Sequence, residues 1–316
     1  MSRRGWLLFV AMGVIWGVPY LMIKVAVDEI EPSVLVLGRT LVAGLLLLPV
    51  ALMRGHLRGL RSAWLPILAF ALVEIAGPWL LLGVAEQRLS SSLTGLLLAA
   101  VPLVAALLAW VGAGRWSPAD DRPDLRRVIG LLVGVAGVAA LLGFEVGSGD
   151  VWSVVAVVGV AVCYAVGPVI LARWLSDLPG LGVITVSLLV TALIYLPIGL
   201  TQLPAEMPSG KVVWSVVGLA VICTAVAFVV FFELIAEVGP SRATVITYLN
   251  PAVALLLGVA ILDEAFTVAT AVGFALILAG SVLATRSRGA RAPQVPRSRK
   301  SVDSDCEEVA SPVAEP

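Results

Sequence analysis

The chain has 316 residues, of which 60% are hydrophobic and 13% charged, and its mean hydropathy is +1.04. Soluble domains contain about 45–50% apolar and about 25% charged residues, so this composition excludes a soluble fold and suits lipid. The 21 basic and 21 acidic residues give a net charge of zero, and no basic stretch with interleaved aromatic residues occurs, which argues against a nucleic-acid partner.

Ten apolar runs are long enough to cross a hydrocarbon core of about 30 Å. Runs rich in Val, Leu, Ala and Gly with internal prolines suit helices in lipid, because neighbouring helices can satisfy the freed backbone groups. The sequence therefore predicts an all-α membrane protein with ten transmembrane helices. The runs lie near residues 5–25, 34–53, 63–85, 91–113, 127–144, 151–172, 181–201, 212–236, 241–262 and 267–285.

Basic residues are distributed unevenly between the two sets of connections. If the N-terminus is cytoplasmic, 11 basic residues outside the C-terminal tail face the cytoplasm and three, Lys24, Arg88 and Lys211, face outward. Cytoplasmic loops carry the excess of Lys and Arg in membrane proteins. We therefore predict a multi-pass protein of the cell (plasma) membrane whose N-terminus and C-terminus are both cytoplasmic.

The chain contains one unit twice, which a search for internal repeats detects. When Pro102 is aligned with Pro251, each apolar run ends in a charged residue 13 positions downstream, at Arg115 and at Glu264. An apolar helix with a Gly-x6-Gly spacing follows each run. The further paired landmarks, at offsets of 148 to 151, are Pro19 with Pro168, Lys24 with Arg173, Pro49 with Pro197, Trp64 with Trp214 and Glu86 with Glu237.

Each unit has five spans, an odd number, so the second unit must cross the membrane in the opposite direction. The predicted organisation is a first five-helix repeat over residues 1–145, an inverted second repeat over 146–285 and a polar, disordered cytoplasmic tail over 286–316. Two inverted repeats are typical of transporters whose copies meet around a site near the membrane midplane. The alternative is a non-transporting membrane scaffold or sensor built on the same duplicated bundle.

Glu74 is the first candidate for a functional residue, because it lies midway along the third span. A charge at this depth is costly unless it is neutralised or faces a wet cavity. Pro78 removes the hydrogen bond to the Glu74 carbonyl, so a kinked helix with a titratable carboxyl could bind a proton, a cation or an amine. The alternative is a neutral acid that bonds to a neighbouring helix.

Aromatic and amide side chains supply the other candidates for a substrate-binding cavity. Trp16 and Tyr20 are four residues apart and share one face of the first span. Tyr164 precedes a proline by four residues in the equivalent sixth span, and Tyr248 and Asn250 stand just before the proline of the ninth span. Against this, aromatic residues are common at interfaces and in cores, and a buried Asn often bonds a neighbouring helix.

Two further charges lie within predicted spans. Glu233, near the cytoplasmic end of span eight, is expected to pair with Arg242 or with interfacial water. Arg39, at the start of span two, has two interpretations. It could bind an anionic substrate group, or it could form an ion pair with one of three glutamates, Glu29, Glu31 and Glu86.

The sequence carries no motif for catalysis or for ATP binding. Gly147 to Asp150 reads Gly-x-Gly-Asp, as in intramembrane aspartyl proteases, but no other Asp lies in a span. The single histidine, His56, cannot build a zinc site or a histidine-based triad, and no Gly-x4-Gly-Lys-Ser/Thr loop occurs. We therefore predict no enzyme activity, no cofactor and no metal site. What remains is a secondary carrier driven by protons or by the membrane potential.

Several of these stretches resemble the EamA family of the drug/metabolite transporter superfamily. They are WGVPYLMIK in span one, Arg39, LNPAVALLLGVAILDE in span nine and the Gly-x6-Gly final helix, and the resemblance covers residues 5–285. It implies a ten-helix exporter or permease of small metabolites, amino acids or drugs, with a cavity lined mainly by the first four helices of each half. The acidic residue that usually closes the fourth helix of a half is Glu264 in the second copy but Arg115 in the first, and we interpret this pair as topological.

The expected function is secondary transport of a small organic metabolite or drug by alternating access, more in the outward than in the inward direction. The expected partners are a small-molecule substrate and the lipid bilayer, with protons as the candidate coupling ion. The candidate residues select no solute class, and the sequence leaves the oligomeric state open.

Overall fold

The computed structural model describes residues 1–111, 125–145 and 151–285. Within these ranges ten helices are long and apolar enough to cross a membrane, and no strand occurs, which confirms the all-α membrane fold. Arg115 and the predicted tail over 286–316 lie outside the described residues. The helices are α1 (Arg3–Val27), α2 (Pro32–Met53), α3 (Leu60–Glu86), α4 (Ser91–Val111), α5 (Leu125–Glu145), α6 (Val151–Trp174), α7 (Gly180–Thr201), α8 (Gly210–Val238), α9 (Val245–Leu262) and α10 (Val268–Thr285).

Pro102 and Pro251, which the repeat alignment paired, mark interruptions of two helices, whereas the paired Pro49, Pro168 and Pro197 lie inside continuous helices. Helix α4 stops after Leu98 and restarts at Val101, next to Pro102. Helix α9 begins as a 3-10 turn that ends at Tyr248 and becomes α-helical just before Pro251. A proline fixes its own backbone angle and donates no N–H, so each break follows from the sequence.

The two repeats pack as an inverted pair. Equivalent helices lie against each other, α2 on α7, α4 on α9 and α5 on α10, while α3 packs on α6 and α8 packs on α1. These contacts between helices of different repeats are expected for two inverted repeats related by a pseudo-two-fold axis in the membrane plane. The hydrophobic clusters accordingly contain side chains from both repeats.

Glycines bring α5 and α10 into backbone contact, and we call this contact the glycine seam. A Cβ atom on Gly130 would lie 2.8 Å from the carbonyl oxygen of Gly280, and one on Gly137 would lie 2.8 Å from the carbonyl oxygen of Gly273. The first glycine of one helix meets the second glycine of the other, so the two helices run antiparallel. The Gly-x6-Gly spacings therefore serve packing within one chain, as small residues do between membrane helices.

Candidate functional site

Helices α3 and α8 each contain one π-helical segment, at Ala71–Ala76 and at Val221–Val226. The two segments start 150 residues apart, which is the offset of the repeat landmarks, so Glu74 of the first and Thr224 of the second occupy equivalent positions. Such segments are rare within α-helices and are frequent at functional sites.

The two repeats reach this distortion by different chemistry. In α3, Pro78 cannot donate to the carbonyl of Glu74, and its ring crowds that carbonyl. In α8, the Thr224 hydroxyl donates to the backbone carbonyl of Leu219 at 2.7 Å and so competes with the helical hydrogen bond. The predicted kink in span three is thus a wide turn of the backbone that carries Glu74.

The carboxylate of Glu74 crosses from α3 to α6 and lies against Gly167. It takes the space that a Cβ atom at that position would need, so a larger residue at position 167 would require the Glu74 carboxylate to move. The Oε2 atom of Glu74 is buried and has no hydrogen-bond partner among the described residues. Tyr164 and Cys163, one turn earlier on α6, are its polar neighbours. An unpaired acid in the interior of a helix bundle is by default a candidate for function.

Arg39 on α2 is a buried cation, with 7% of the residue exposed. Its Nε donates to Thr224 Oγ1 at 2.9 Å, and its guanidinium carbon lies 3.6 Å from the ring centroid of Trp79, a cation–π contact. Among the described residues no carboxylate lies within ion-pairing distance of this guanidinium. The predicted ion pair with Glu29, Glu31 or Glu86 is therefore wrong.

Two predicted tyrosines connect Glu74 with Arg39. Tyr164 interacts electrostatically with both side chains. Tyr20 on α1 lies near Tyr164 and Arg39. The structure thus brings six polar and aromatic side chains together between the repeats, and we call this set the central cluster. It consists of Tyr20, Arg39, Glu74, Trp79, Tyr164 and Thr224.

Trp16 lies apart from Tyr20, although the two are one turn apart in the sequence. Its ring packs against Phe231 and Phe228 of α8, with centroids 4.8 and 6.0 Å away. Helix α1 ends one α-helical segment at Gly17 and restarts two residues later. The backbone stays helical at this point, because Val18 has φ −68° and ψ −33° and its N–H donates to the Val14 carbonyl. The two aromatic residues nevertheless pack into different hydrophobic clusters.

Tyr248 and Asn250 bond to other helices. The Tyr248 hydroxyl lies 3.2 Å from that of Thr285, the last residue of α10. The Asn250 amide faces the carbonyls of Gly13 and Ile246, so its nitrogen is assigned to that side, where it donates at 3.2 and 3.0 Å. In this structure Asn250 therefore ties α9 to α1, which is the packing alternative.

Glu264 joins the two repeats at one end of the bundle. Asp263 ends α9 with a positive φ of 53°, which turns the next side chain back towards α4. The Glu264 carboxylate then accepts hydrogen bonds from the backbone N–H groups of Ser91, at 2.7 Å, and Ser92, at 2.9 Å. A carboxylate at a helix N-terminus is favoured by the helix dipole. The topological interpretation of Glu264 missed this role.

At the opposite end, exposed ion pairs connect α1 to α8. Arg4 Nη2 lies 2.6 Å from Glu233 Oε2, and Nη1 lies 3.8 Å from Glu237 Oε2. The partner of Glu233 in the structure is thus Arg4 and not Arg242, which the sequence had suggested. Since the Arg4 side chain is 65% exposed, each pair is expected to contribute little to stability.

A cavity of about 440 Å³ opens between the ends of α1 and α7 and the start of α2. Its rim is acidic, and Glu29 on this rim accepts a hydrogen bond from the backbone N–H of Ser209 at 2.7 Å. Hydrogen bonds from the side chain and backbone of Ser209 lower the pKa of the Glu29 carboxyl. The polar lining residues are Asp28, Glu29, Glu31, Gln87 and Gln202.

Two members of the central cluster were missed by sequence reasoning. Thr224 occupies the position equivalent to Glu74, so the repeat alignment contained the signal that would have found it. Trp79 gave no signal, because a tryptophan within an apolar run is usually core or interfacial.

Ten helices in two inverted repeats, with buried ionisable groups where the repeats meet, define a multi-pass membrane transporter. The model of the EamA-like transporter family matches residues 3–143 and 151–286, one match for each repeat. The chain belongs to the EamA-like transporter family.

Relatives along nearly the whole chain are also named as transporters. The uncharacterized transporter YvbV of Bacillus subtilis is 26% identical over 299 residues, which cover 93% of this chain and 96% of YvbV. The uncharacterized inner membrane transporter YedA of Escherichia coli is 27% identical over 285 residues, which cover 87% of this chain and 88% of YedA. A solved crystal structure shares the fold, with a TM-score of 0.63 at 23% identity over 90% of this chain and 97% of that one.

Proposed function

We propose that this protein is a secondary transporter of a small organic metabolite or drug, with no catalytic role, that works by alternating access and binds its solute at the central cluster. The observation that carries the proposal is the Glu74 carboxylate, which is buried between α3 and α6 and has an oxygen without a hydrogen-bond partner among the described residues. Helices α3 and α6 belong to different repeats, so rocking one repeat against the other would change the surroundings of this group.

The central cluster offers complementary contacts to a solute that carries a polar group on an apolar body. Glu74 can accept a proton or bind an amine, while Arg39 can bind an anionic group with the donors that Thr224 does not use. Tyr20 and Tyr164 supply aromatic faces with a polar tip. Trp79 already stacks on the Arg39 guanidinium and completes the wall of the proposed site.

The other predicted contacts remain part of the proposal. Trp16 would reach the solute from its aromatic packing on α8. Tyr248 and Asn250 would have to exchange their present bonds to other helices for bonds to the solute. Such an exchange is plausible chemistry at a helix start that a proline leaves half open.

We further propose that Glu74 couples transport to protons and that the net direction is outward. A carboxyl that moves between two accessible states can carry one proton per cycle. The excess of basic residues on one set of loops supports the proposed orientation, with both termini in the cytoplasm of a cell bounded by its plasma membrane.

The test is solute counterflow in proteoliposomes, with a panel of amino acids, nucleosides, sugars and lipophilic cations. The wild type is compared with Glu74→Gln, and Glu233→Gln serves as the matched control because it removes an exposed glutamate carboxyl. We expect a pH gradient to drive flux in the wild type and in the control but not in Glu74→Gln.

Two results would contradict the proposal. Flux that responds equally to the pH gradient in Glu74→Gln would remove Glu74 from the coupling mechanism. Absence of flux for every solute, in protein shown to be folded, would favour the membrane scaffold or sensor.

A further inference from the structure

We propose a binding site for one Na⁺ ion between the end of α3, the start of α4 and the turn after α9. Its ligands are oxygen atoms of Glu86, Ser91, Ser92 and Glu264. The site is separate from the central cluster, and it does not rest on the proposed function.

Glu86, the last residue of α3, carries a buried carboxylate. It is 0% exposed, and neither carboxylate oxygen has a hydrogen-bond partner among the described residues. The ammonium group of Lys24 bonds to the backbone carbonyl of Glu86 at 2.7 Å and not to the carboxylate. A buried charge in such a position is costly unless a counterion or hydrogen-bond donors reach it.

The hydroxyl groups of Ser91 and Ser92 are likewise buried and without partners in the described part of the chain. Both point to the bare backbone of Gly258 on α9, where the Glu264 carboxylate also arrives. A Cβ atom at residue 258 would lie 2.9 Å from Ser91 Oγ and would collide with Ser92 Oγ and Glu264 Oε2. Glycine therefore leaves room for three oxygens to converge, and Glu86 lies close enough to interact with Glu264.

The charges of this group select a monovalent ion. Glu86 and Glu264 contribute two negative charges and Lys24 contributes one positive charge, which leaves one negative charge. A monovalent cation neutralises this remaining charge, whereas a divalent cation would leave a net positive charge at a buried site. Carboxylate and hydroxyl oxygens are hard ligands that suit Na⁺. A proton on one carboxyl could bridge it to a single acceptor, whereas a metal ion can contact several oxygen atoms at once.

The proposed Na⁺ site adjoins the central cluster through Tyr20. This side chain interacts electrostatically with Glu86 of the proposed site and with Arg39 and Tyr164 of the central cluster. An ion that holds Glu86 and Glu264 together would also hold α3 and α4 against the turn after α9, which belongs to the other repeat.

The test is thermal unfolding of the purified protein in detergent, in NaCl, KCl or choline chloride at one ionic strength, followed by calorimetric titration with NaCl. We expect Na⁺ alone to raise Tm, by on the order of a few degrees and with saturation, because a ligand that binds only the folded state stabilises it. Glu86→Gln and Ser92→Ala are expected to lose this rise. Ser187→Ala is expected to keep it, since Ser187 is an equally buried, unpartnered hydroxyl on α7.

Equal Tm values in NaCl, KCl and choline chloride would overturn the Na⁺ site, as would an undiminished Na⁺ response in folded Ser92→Ala. Ser92→Ala removes only one hydroxyl group, so the test remains decisive if Glu86→Gln does not fold. Because ion binding is measured without any solute, a failure here is distinguishable from a failure of the flux assay.

Discussion

Removal of the Glu264 carboxylate should loosen the contact between α9 and α4. Glu264→Ala deletes two hydrogen bonds, from the backbone N–H groups of Ser91 and Ser92 at 2.7 and 2.9 Å. Hydrogen bonds to charged groups contribute about 1.5–3 kcal/mol each, and the helix dipole adds about 0.3–1 kcal/mol. Both bonds are only part-buried, so water recovers some of the loss. We therefore expect the free energy of unfolding to fall by about 2–4 kcal/mol.

The measurement is reversible unfolding in mixed micelles by titration with a denaturing detergent, in potassium buffer without sodium. Glu264→Gln keeps one acceptor oxygen and should lose about half as much as Glu264→Ala. Asp263→Asn is the control, because it removes the neighbouring exposed carboxylate and Asn tolerates the positive φ at that position. If Glu264→Ala and Asp263→Asn lie within about 0.5 kcal/mol of each other, the hydrogen bonds do not stabilise the protein and the reasoning fails.

Three other changes test the packing. Gly137→Leu should destabilise the protein by more than about 3 kcal/mol through overpacking of the glycine seam, as measured by the same unfolding assay. Gly143 lies on the same helix, and a Cβ atom there would meet nothing within 4 Å. Gly143→Leu is therefore the control and should be nearly neutral. Gly167→Ala should displace the Glu74 carboxylate and reduce solute flux at least about tenfold; wild-type flux in this variant would show that the position of Glu74 is unimportant. Arg4→Ala should lower the free energy of unfolding by at most about 1 kcal/mol, and a larger loss would show that its ion pairs are not simply exposed contacts.

Hydrophobic periodicity and the repeat offsets were enough to predict the features that depend on local sequence. The ten helices, the proline breaks and the paired Gly-x6-Gly helices follow from local rules and from counting, and the structure agrees with them. Partners across the bundle were harder to predict. One interpretation of Arg39 was an ion pair with a carboxylate, since opposite charges attract. In the structure it donates a hydrogen bond to Thr224 and makes a cation–π contact with Trp79. Side-chain direction in a distorted helix cannot be read from spacing, because one wide turn rotates every residue that follows it.

The positions of the candidate site residues show the same limit. Glu74 and Tyr164 come together because Gly167 leaves room between α3 and α6. The sequence alone does not indicate which side chain will occupy the space beside a glycine in an apolar run. Trp16 and Tyr20 pack into different hydrophobic clusters although they are one turn apart on α1. Spacing predicts a shared helix face, but it does not predict which neighbouring helices cover each end of that face.

The glycine seam is self-complementary. Gly130 and Gly273 are equivalent in the two repeats, as are Gly137 and Gly280, and the observed contacts pair Gly130 with Gly280 and Gly137 with Gly273. This crossed pairing is the mark of an isologous interface, in which the same patch of two identical subunits meets itself. A free-standing five-helix unit would carry the whole of this patch. The single chain therefore has, between its two repeats, the contact geometry of a homodimer whose subunits cross the membrane in opposite directions.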